Sequence, residues 1–165
     1  MVNGVGIKGM SELLSLSANT VLKRIISIAN KIKKPIISLK QKYEVDEMRT
    51  FVGNKNNQTW IVYGINSKTK EVADFSVGRR TNRTLNKVIS TLLLSEASQL
   101  ITDKLSNYGF LIPKDIHNTK NRGTNHIERK NLTLRTHLKR LNRKTICFSK
   151  SKIILSACLK IYFWG

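Results

Sequence analysis

Carboxylate side chains are the residues of this 165-residue chain whose type and placement best suit chemistry, because they are few. Ten Asp and Glu residues stand against 30 Lys and Arg residues. After Asp115 the chain has a single carboxylate, Glu128, and basic residues surround it. A lone acid on such a surface repels phosphate, so we expect either a local salt bridge or a metal ion to offset its charge. Hard carboxylate oxygens favour divalent cations such as Mg²⁺ or Mn²⁺.

The net charge of +20 requires an anionic partner. Nucleic acid is the commonest one, because each neutralised phosphate releases condensed counterions. No apolar run reaches the roughly 18 residues that a membrane span needs, and the start of the chain lacks a signal-peptide pattern. Two cysteines, Cys147 and Cys158, provide neither a four-ligand zinc site nor a disulfide framework. We therefore expect a cytoplasmic, nucleoid-associated protein that binds no membrane.

Residues 42–78 carry three strand patterns separated by polar turns. The first strand begins at Tyr43 and continues towards Gly53, and residues 54–57 form a polar turn. Residues 59–65 are rich in β-branched and aromatic side chains, which are typical of a strand. A third strand covers residues 72–77. Three consecutive antiparallel strands predict a meander.

From residue 81 the apolar residues recur at helical spacing, which predicts an amphipathic helix over residues 81–96. A short apolar run then ends at Asp103, as a buried strand ends at the carboxyl edge of a sheet. We expect a turn at residues 107–109 and an edge strand at residues 116–119.

The longest predicted helix covers residues 124–143 and has an apolar stripe. That stripe consists of Ile127, Leu134, Leu138 and Leu141. The apolar tail, residues 153–164, has a helical pattern and is expected to pack on the sheet.

Residues 1–34 predict a partial helix-turn-helix segment that binds DNA, followed by a catalytic domain over residues 35–165. A short helix precedes a second one, which Ser17 or Asn19 could cap. The second helix of such a motif enters the major groove. Its outward residues would be Thr20, Lys23 and Arg24. A plain helical hairpin is the alternative.

The order of three strands, helix, strand and helix is that of the RNase H-like fold, an α/β architecture whose mixed sheet is flanked by helices. In that order Asp46 lies on the first strand, Asp103 ends a neighbouring strand, and Glu128 lies in the first turns of a helix crossing that face. Three converging acids repel one another without cations and suit two divalent ions about 3.5–4 Å apart. Glu44 and Glu47 are rivals of Asp46, and Glu44 shares its side of the strand.

Many short segments between residues 42 and 152 together carry a resemblance to a known family. The segments are Tyr43–Glu47, Thr50–Gly53, Trp60, Tyr63, Gly78–Thr81, Asp103, Tyr108–Gly109, Pro113–Asp115, 127–136, 138–141 and 143–149. They resemble the transposases of the insertion-sequence-one family, InsB type, within the DDE recombinases. The 24 residues between Asp103 and Glu128, and the basic Arg135 seven positions after that glutamate, are similar to the family pattern.

The resemblance implies a DNA transposase that cleaves and transfers strands at insertion-sequence ends. It implies that Asp46, rather than its rivals, joins Asp103 and Glu128 as a catalytic residue and ligand of two Mg²⁺ or Mn²⁺ ions. It also implies double-stranded DNA, as transposon ends and target, and a homo-oligomer in the active complex. We assign DNA binding to the following residues of the glutamate helix and beyond: Asn131, Arg135, Lys139, Arg140, Arg143 and Lys144.

The chain departs from the family at its beginning, because members typically begin with a cysteine-rich zinc-binding segment and no cysteine precedes Cys147. We therefore expect an N-terminally truncated transposase. The alternative function is a non-catalytic DNA-binding remnant or a repressor of the parent element. A nuclease that prefers RNA–DNA hybrids is a further alternative. We expect His126, two residues before Glu128, to be no metal ligand.

Overall fold

The computed structural model describes residues 5–119, 124–142, 145 and 147–165. The elements follow in this order: α1 (Ile7–Leu13), α2 (Ala18–Lys31), β1 (Lys42–Val52), β2 (Asn54–Asn66), β3 (Val72–Gly78), α3 (Asn82–Leu94), β4 (Gln99–Ile101), α4 (Ser106–Leu111), β5 (His117–Asn118), α5 (Asn125–His137), a 3₁₀ turn (Lys139–Leu141) and α6 (Lys152–Trp164).

The five strands form one mixed sheet in the order β3-β2-β1-β4-β5. Strands β1, β2 and β3 pair antiparallel, whereas β4 pairs parallel with both β1 and β5. With helices on both faces, this is the RNase H-like topology, so the predicted fold class is confirmed. Among the described residues, no helix is both long and apolar enough to cross a lipid bilayer.

Side chains alternate between the two faces of the sheet, and each face has its own apolar cluster. Val45 and Val62 pack with the buried residues of α3 on one face. Ile61 and Tyr63 pack with α5 and α6 on the other. All four residues of the predicted stripe are buried there, although only Ile127 and Leu134 belong to α5.

The N-terminal helices form a hairpin that packs on α6. Ser17 begins α2, and its side chain accepts a hydrogen bond from the Thr20 amide at 3.1 Å. Every fourth residue of α2 is then buried against α6. The residues of this cluster are Val21, Ile25, Ala29, Ala157 and Cys158. The two predicted N-terminal helices are therefore present, while the division of the chain after residue 34 stays a prediction.

Two predicted turns are wrong in their extent. The reversal between β1 and β2 occurs at Gly53, and β2 begins at once with Asn54. Gly53 has φ of 78°, which glycine adopts without the steric cost that a side chain brings. Residues 107–109 belong to α4 instead of a turn, because the buried Tyr108 and Ile112 fasten this segment to the core.

Helix α5 is shorter than predicted and ends at His137. Leu138 leaves the helical conformation with ψ of 90°, so that the chain enters the 3₁₀ turn. The guanidinium of Arg135 donates to the Leu141 carbonyl at 2.7 Å, which gives this backbone acceptor a partner beyond the end of α5.

Candidate active site

Two of the three predicted catalytic acids lie together at the edge of the sheet where β4 ends. Asp46 is half-buried in the middle of β1, and Asp103 is exposed just after β4. Strand β4 runs parallel to the start of β1, which brings the two segments side by side. Oxygen atoms of Asp46, Glu47 and Asp103 all lie within 4.8 Å of one another. Such a set of carboxylates can hold a divalent cation.

The Asp46 carboxylate is held in place by two hydrogen bonds. Its Oδ1 accepts from the Glu47 amide at 2.8 Å, and its Oδ2 accepts from Asn131 Nδ2 at 2.6 Å. Burial raises the pKa of Asp46 to about 6, and the nearby charges of Glu47 and Asp103 also raise it. A bound cation would favour the ionised carboxylate and so act against this shift.

Asp103 is held by the backbone of the loop that follows β4. Its Oδ1 accepts from the Leu105 amide at 3.0 Å, which leaves the rest of the exposed carboxylate facing solvent. The preceding residue, Thr102, is buried and its hydroxyl lies 2.9 Å from Nε2 of His117 on β5. The buried Thr102 therefore holds the backbone that precedes Asp103, and the Leu105 amide holds one oxygen of its carboxylate.

Glu47 is the third acid of the cluster, and it is already bonded by other side chains. Its Oε1 accepts from Arg80 Nε at 3.0 Å and Nη2 at 2.5 Å, while its Oε2 accepts from the Tyr108 hydroxyl at 2.6 Å. Burial and the Glu47 charge raise the pKa of Tyr108, so its hydroxyl keeps the proton that it donates. Arg80 in turn lies over the Trp60 ring, 4.6 Å from its centroid.

Glu44, the other rival of Asp46, holds the beginning of α5. Only 1% of Glu44 is exposed. Its Oε2 accepts from the amides of His126 at 3.1 Å and Ile127 at 3.0 Å, and its Oε1 lies 2.6 Å from His126 Nδ1. A carboxylate in this place satisfies amides that lack helical partners and interacts favourably with the helix dipole.

The third predicted catalytic acid, Glu128, lies outside this cluster of oxygen atoms. It is exposed in the first turn of α5, and its Oε1 accepts a hydrogen bond from the Thr124 hydroxyl at 3.0 Å. Asn131, three residues later and on the same side of the helix, reaches Asp46. Helix α5 therefore contacts the site through Asn131, while the Glu128 carboxylate bonds Thr124, the residue that precedes the helix.

Tyr63 of β2 connects the sheet to α5 through its hydroxyl. Its hydroxyl donates to Asn131 Oδ1 at 2.9 Å and lies 3.3 Å from the Ile127 carbonyl. Burial raises the pKa of Tyr63, so the hydroxyl stays a donor. The amide group of Asn131 is thus oriented with its oxygen towards Tyr63 and its nitrogen towards Asp46.

The predicted DNA-binding residues of α2 remain accessible. Lys23 and Arg24 are exposed, and Thr20 is half-buried with its hydroxyl 2.9 Å from that of Ser17. These positions are compatible with the predicted outward face of α2. Contact between these residues and DNA stays a prediction.

The basic residues after Glu128 have different surroundings. Arg135 donates to the carbonyls of Leu141 and Arg49, so it ties α5 to β1. Arg140 donates to the Ser149 hydroxyl at 2.9 Å, and Lys139 is exposed. The remaining two predicted contacts, Arg143 and Lys144, lie outside the described residues.

Sequence patterns did not indicate the interactions of Glu44 and Glu47. The sequence presents both only as rivals of Asp46, yet each has a separate set of bonds in the structure. Adjacent acids on one strand are a signal that at least one is buried and paired, because charges are rarely buried without a partner. The partner cannot be named from strand alternation alone.

Comparison with known proteins decides the family. Residues 41–163 match the family model described as IS1 transposase. The chain belongs to the IS1 transposase family. The predicted resemblance is thereby confirmed.

The similar curated proteins are InsB proteins of insertion elements. Over 108 residues the chain is 45% identical to the iso-IS1n protein InsB of Shigella dysenteriae, which covers 66% of this chain and 82% of that protein. It is 39% identical to the IS1 protein InsB of Shigella sonnei, with the same coverage. The IS1 9 protein InsB of Escherichia coli K12 is also 39% identical, and the match spans 65% of its length.

Two solved structures resemble this IS1 family member distantly. One is the HTLV-2 integrase catalytic core domain in complex with magnesium, at a TM-score of 0.47 and 15% identity, covering 74% of this chain and 85% of that one. The other is a simian T-cell lymphotropic virus intasome in complex with the PP2A subunit B56 gamma, at 0.48 and 15%, covering 95% and 64%.

Proposed function

We propose that this IS1 family member is a DNA transposase that cleaves and transfers strands at insertion-sequence ends, with Asp46, Asp103 and Glu128 as its catalytic carboxylates. The observation that carries the proposal is the meeting of Asp46 and Asp103, which are remote in sequence, at one edge of the sheet. The family membership gives this pair of acids a reaction to serve.

The donor set fits divalent cations such as Mg²⁺ or Mn²⁺, because it consists of carboxylate oxygens close enough to share an ion. Two such ions would activate the attacking hydroxyl and stabilise the leaving oxygen of an in-line displacement at phosphorus. Asp46 and Asp103 would provide the shared ligands. The hydrogen bonds from Asn131 and from the Leu105 amide hold their carboxylates in position before any cation arrives.

Glu128 is proposed as the third metal ligand, which requires that its carboxylate leave the Thr124 hydroxyl and bind the cation instead. It lies on the side of α5 from which Asn131 reaches Asp46, and its hydrogen bond to Thr124 is between exposed side chains. Such a bond is weak in water, so a cation could replace it. Glu47 is the competing third ligand, but Arg80 and Tyr108 already bond both of its oxygens.

The DNA would be held by basic residues on two surfaces. The exposed face of α2, with Lys23 and Arg24, is proposed to bind the double-stranded end or target. The surface formed by α5 and the 3₁₀ turn is proposed to hold the DNA terminus near the acids, with Arg135 and Lys139 among its basic residues. A homo-oligomer would bring two ends together.

The test is cleavage of DNA carrying the element's ends, in Mg²⁺ and in Mn²⁺. Asp103→Asn is the sharpest variant, because an amide oxygen can still accept from the Leu105 amide and the fold is kept. We expect it to lose about a thousandfold in rate, since a bound cation contributes several kcal/mol to catalysis. Asp46→Asn and Glu128→Gln should lose similar amounts.

The matched control is Glu71→Gln, which removes one negative charge from an exposed residue that is no member of the cluster. It should cleave at the parent rate. DNA binding by Asp103→Asn should be equal to or tighter than that of the parent, because a repulsive charge is lost. If Asp103→Asn cleaves as fast as Glu71→Gln, Asp103 is not a catalytic residue and the proposed carboxylate chemistry is wrong. If the parent binds this DNA and does not cleave it with either ion, the chain is the non-catalytic DNA-binding protein of the alternative.

A further inference from the structure

A groove of about 470 Å³ lies along the edge of β1 and begins at Asp46. Strand β1 pairs with β4 only over Lys42–Glu44 among the described residues, so the same edge beyond that point faces this groove. Helix α5 and the 3₁₀ turn form the opposite wall. The residues that line the groove include Asp46, Arg49 and Phe51 of β1, Asn131 and Arg135 of α5, and Leu141 of the 3₁₀ turn.

The charge of the residues that line the groove differs between its two ends. Asp46 lies at one end, and Arg49 and Arg135 are among the residues that line the groove further along β1. Arg135 is anchored to backbone carbonyls, whereas Arg49 is exposed and has no ion-pair partner in the part of the chain that the structure describes. Arg49 lies 5.9 Å from the centroid of the Phe51 ring, which packs edge-on against Phe148.

An added polypeptide strand does not fit this edge. Such a strand would need the free amides and carbonyls of β1. The Glu47 amide already donates to Asp46 Oδ1, and the Arg49 carbonyl accepts from Arg135 at 3.3 Å. At the far end, the Gly53 amide donates to the Ser149 carbonyl at 2.8 Å. Side chains and a neighbouring segment therefore occupy the positions that a polypeptide would pair with.

We propose that this groove binds a single DNA strand next to the scissile phosphate, and that Arg49 contacts a backbone phosphate of that strand. The proposal rests on the proposed function and extends it to a substrate contact. A groove of this volume matches a ligand of a few residues rather than a duplex. Guanidinium groups pair with phosphate oxygens, and Phe51 offers an aromatic ring on which an unpaired base can stack.

The test compares two fluorescein-labelled DNA probes by fluorescence anisotropy: a blunt duplex, and the same duplex with a short single-stranded extension. Ca²⁺ replaces Mg²⁺ so that the probe is not consumed. Arg49→Gln should bind the extended probe about tenfold more weakly, the effect of one lost charged hydrogen bond. It should bind the blunt probe nearly as the parent does. The control Lys68→Gln, an equal charge change in the turn between β2 and β3, should weaken both probes slightly and equally.

A second experiment locates the contact. Neutral methylphosphonate linkages replace the phosphates of the extension one at a time. At one position the substitution should weaken the parent but leave Arg49→Gln unchanged, because the two changes remove the same interaction. Arg49→Lys should bind the extended probe more tightly than Arg49→Gln, since the charge is kept.

Two results would overturn the groove proposal. One is that Arg49→Gln weakens the binding of both probes equally. The other is that, at every linkage, the losses of affinity from Arg49→Gln and from the methylphosphonate add up. Neither depends on cleavage. A failure of the proposed function would appear separately, as parent-like cleavage by Asp103→Asn. Thermal unfolding of Arg49→Gln at the parent temperature would establish that its exposed side chain is not needed for folding.

Discussion

Helices α3 and α5 cover opposite faces of the same sheet but are held to it by different interactions. Helix α3 buries five residues, Thr84, Leu85, Val88, Ile89 and Leu92, and its contact with the sheet is mainly apolar. Helix α5 buries only Ile127 and Leu134. Its remaining attachments are hydrogen bonds. Glu44 accepts from the first turn of the helix, and Asn131 bonds both Asp46 and Tyr63. Arg135 donates to the Arg49 carbonyl.

In this fold, stability and the placement of functional side chains therefore depend on different interactions. Apolar burial is strong but not directional, so it holds α3 without specifying side-chain positions closely. Hydrogen bonds contribute less net free energy, but they fix distances and angles. The helix that presents Glu128 and Asn131 to the site is the one attached by directional bonds. We therefore expect mutations under α3 to affect unfolding and mutations around α5 to affect cleavage.

The largest effect on stability is expected from Leu92→Ala. Leu92 is fully buried and packs where Gly64 of β2 has no side chain, since a Cβ there would lie 2.9 Å from Leu92 Cδ1. The resulting cavity should lower the free energy of unfolding by about 3 kcal/mol, measured by urea denaturation. Leu94→Ala, at a residue 84% exposed, should change it by less than about 0.5 kcal/mol. Equal effects of the two variants would contradict the assigned packing of α3.

The next largest effect is expected from Glu44→Gln, and mostly on cleavage. The variant replaces a charged acceptor of the His126 and Ile127 amides by a neutral one, which should cost about 1–3 kcal/mol of unfolding free energy. Because the first turn of α5 is held more weakly, the cleavage rate should fall further than under Leu92→Ala when both are measured at a temperature where the variants are folded.

Near-parent cleavage by Glu44→Gln would contradict this positioning role. The control is Glu71→Gln, which should leave both cleavage and unfolding unchanged because Glu71 is exposed. Metal binding provides a further readout: if Glu44 acts only through α5, Mn²⁺ binding by Asp46 and Asp103 should weaken much less than cleavage.

The smallest effect is expected from Tyr63→Phe. Removal of the hydroxyl leaves Asn131 Oδ1 without its partner at 2.9 Å and should cost about 1 kcal/mol. Cleavage should fall several-fold, because Asn131 also orients Asp46. Tyr43→Phe is a matched control, since its hydroxyl donates to the Ser38 carbonyl at 2.5 Å, away from the acids. Equal loss of cleavage in both variants would show that the effect is general.

Much of the fold was predictable because its elements have strong periodic signals. The meander of β1–β3, the amphipathic α3 and the apolar tail that forms α6 all lie where alternation or helical spacing places them. Helix α4 was missed because it has no side-chain cap and contains Gly109, so its existence depends on the packing of Tyr108. The early end of α5 is likewise accompanied by a side-chain bond that no periodic pattern specifies, from Arg135 to the carbonyl six residues later.

The candidate site was predictable in part. The meeting of Asp46 and Asp103 follows from strand order, because parallel neighbours end at the same edge. The inclusion of Glu47 in the cluster does not follow, since adjacent strand residues point to opposite faces and only coordinates show how their carboxylates approach. The hydrogen bond between Thr124 and Glu128 depends on the side-chain conformation of the glutamate, which no sequence pattern specifies.

The most direct test of the central claim is a crystal structure of the protein soaked with Mn²⁺, with the ion located by anomalous scattering. We expect an ion bound by both Asp46 and Asp103, with the Glu128 carboxylate turned from Thr124 towards it. The Asp103→Asn crystal should lose or weaken that signal. An ion that contacts neither aspartate, or no ordered ion at concentrations that saturate binding in solution, would contradict the claim that these acids form a metal-dependent catalytic centre.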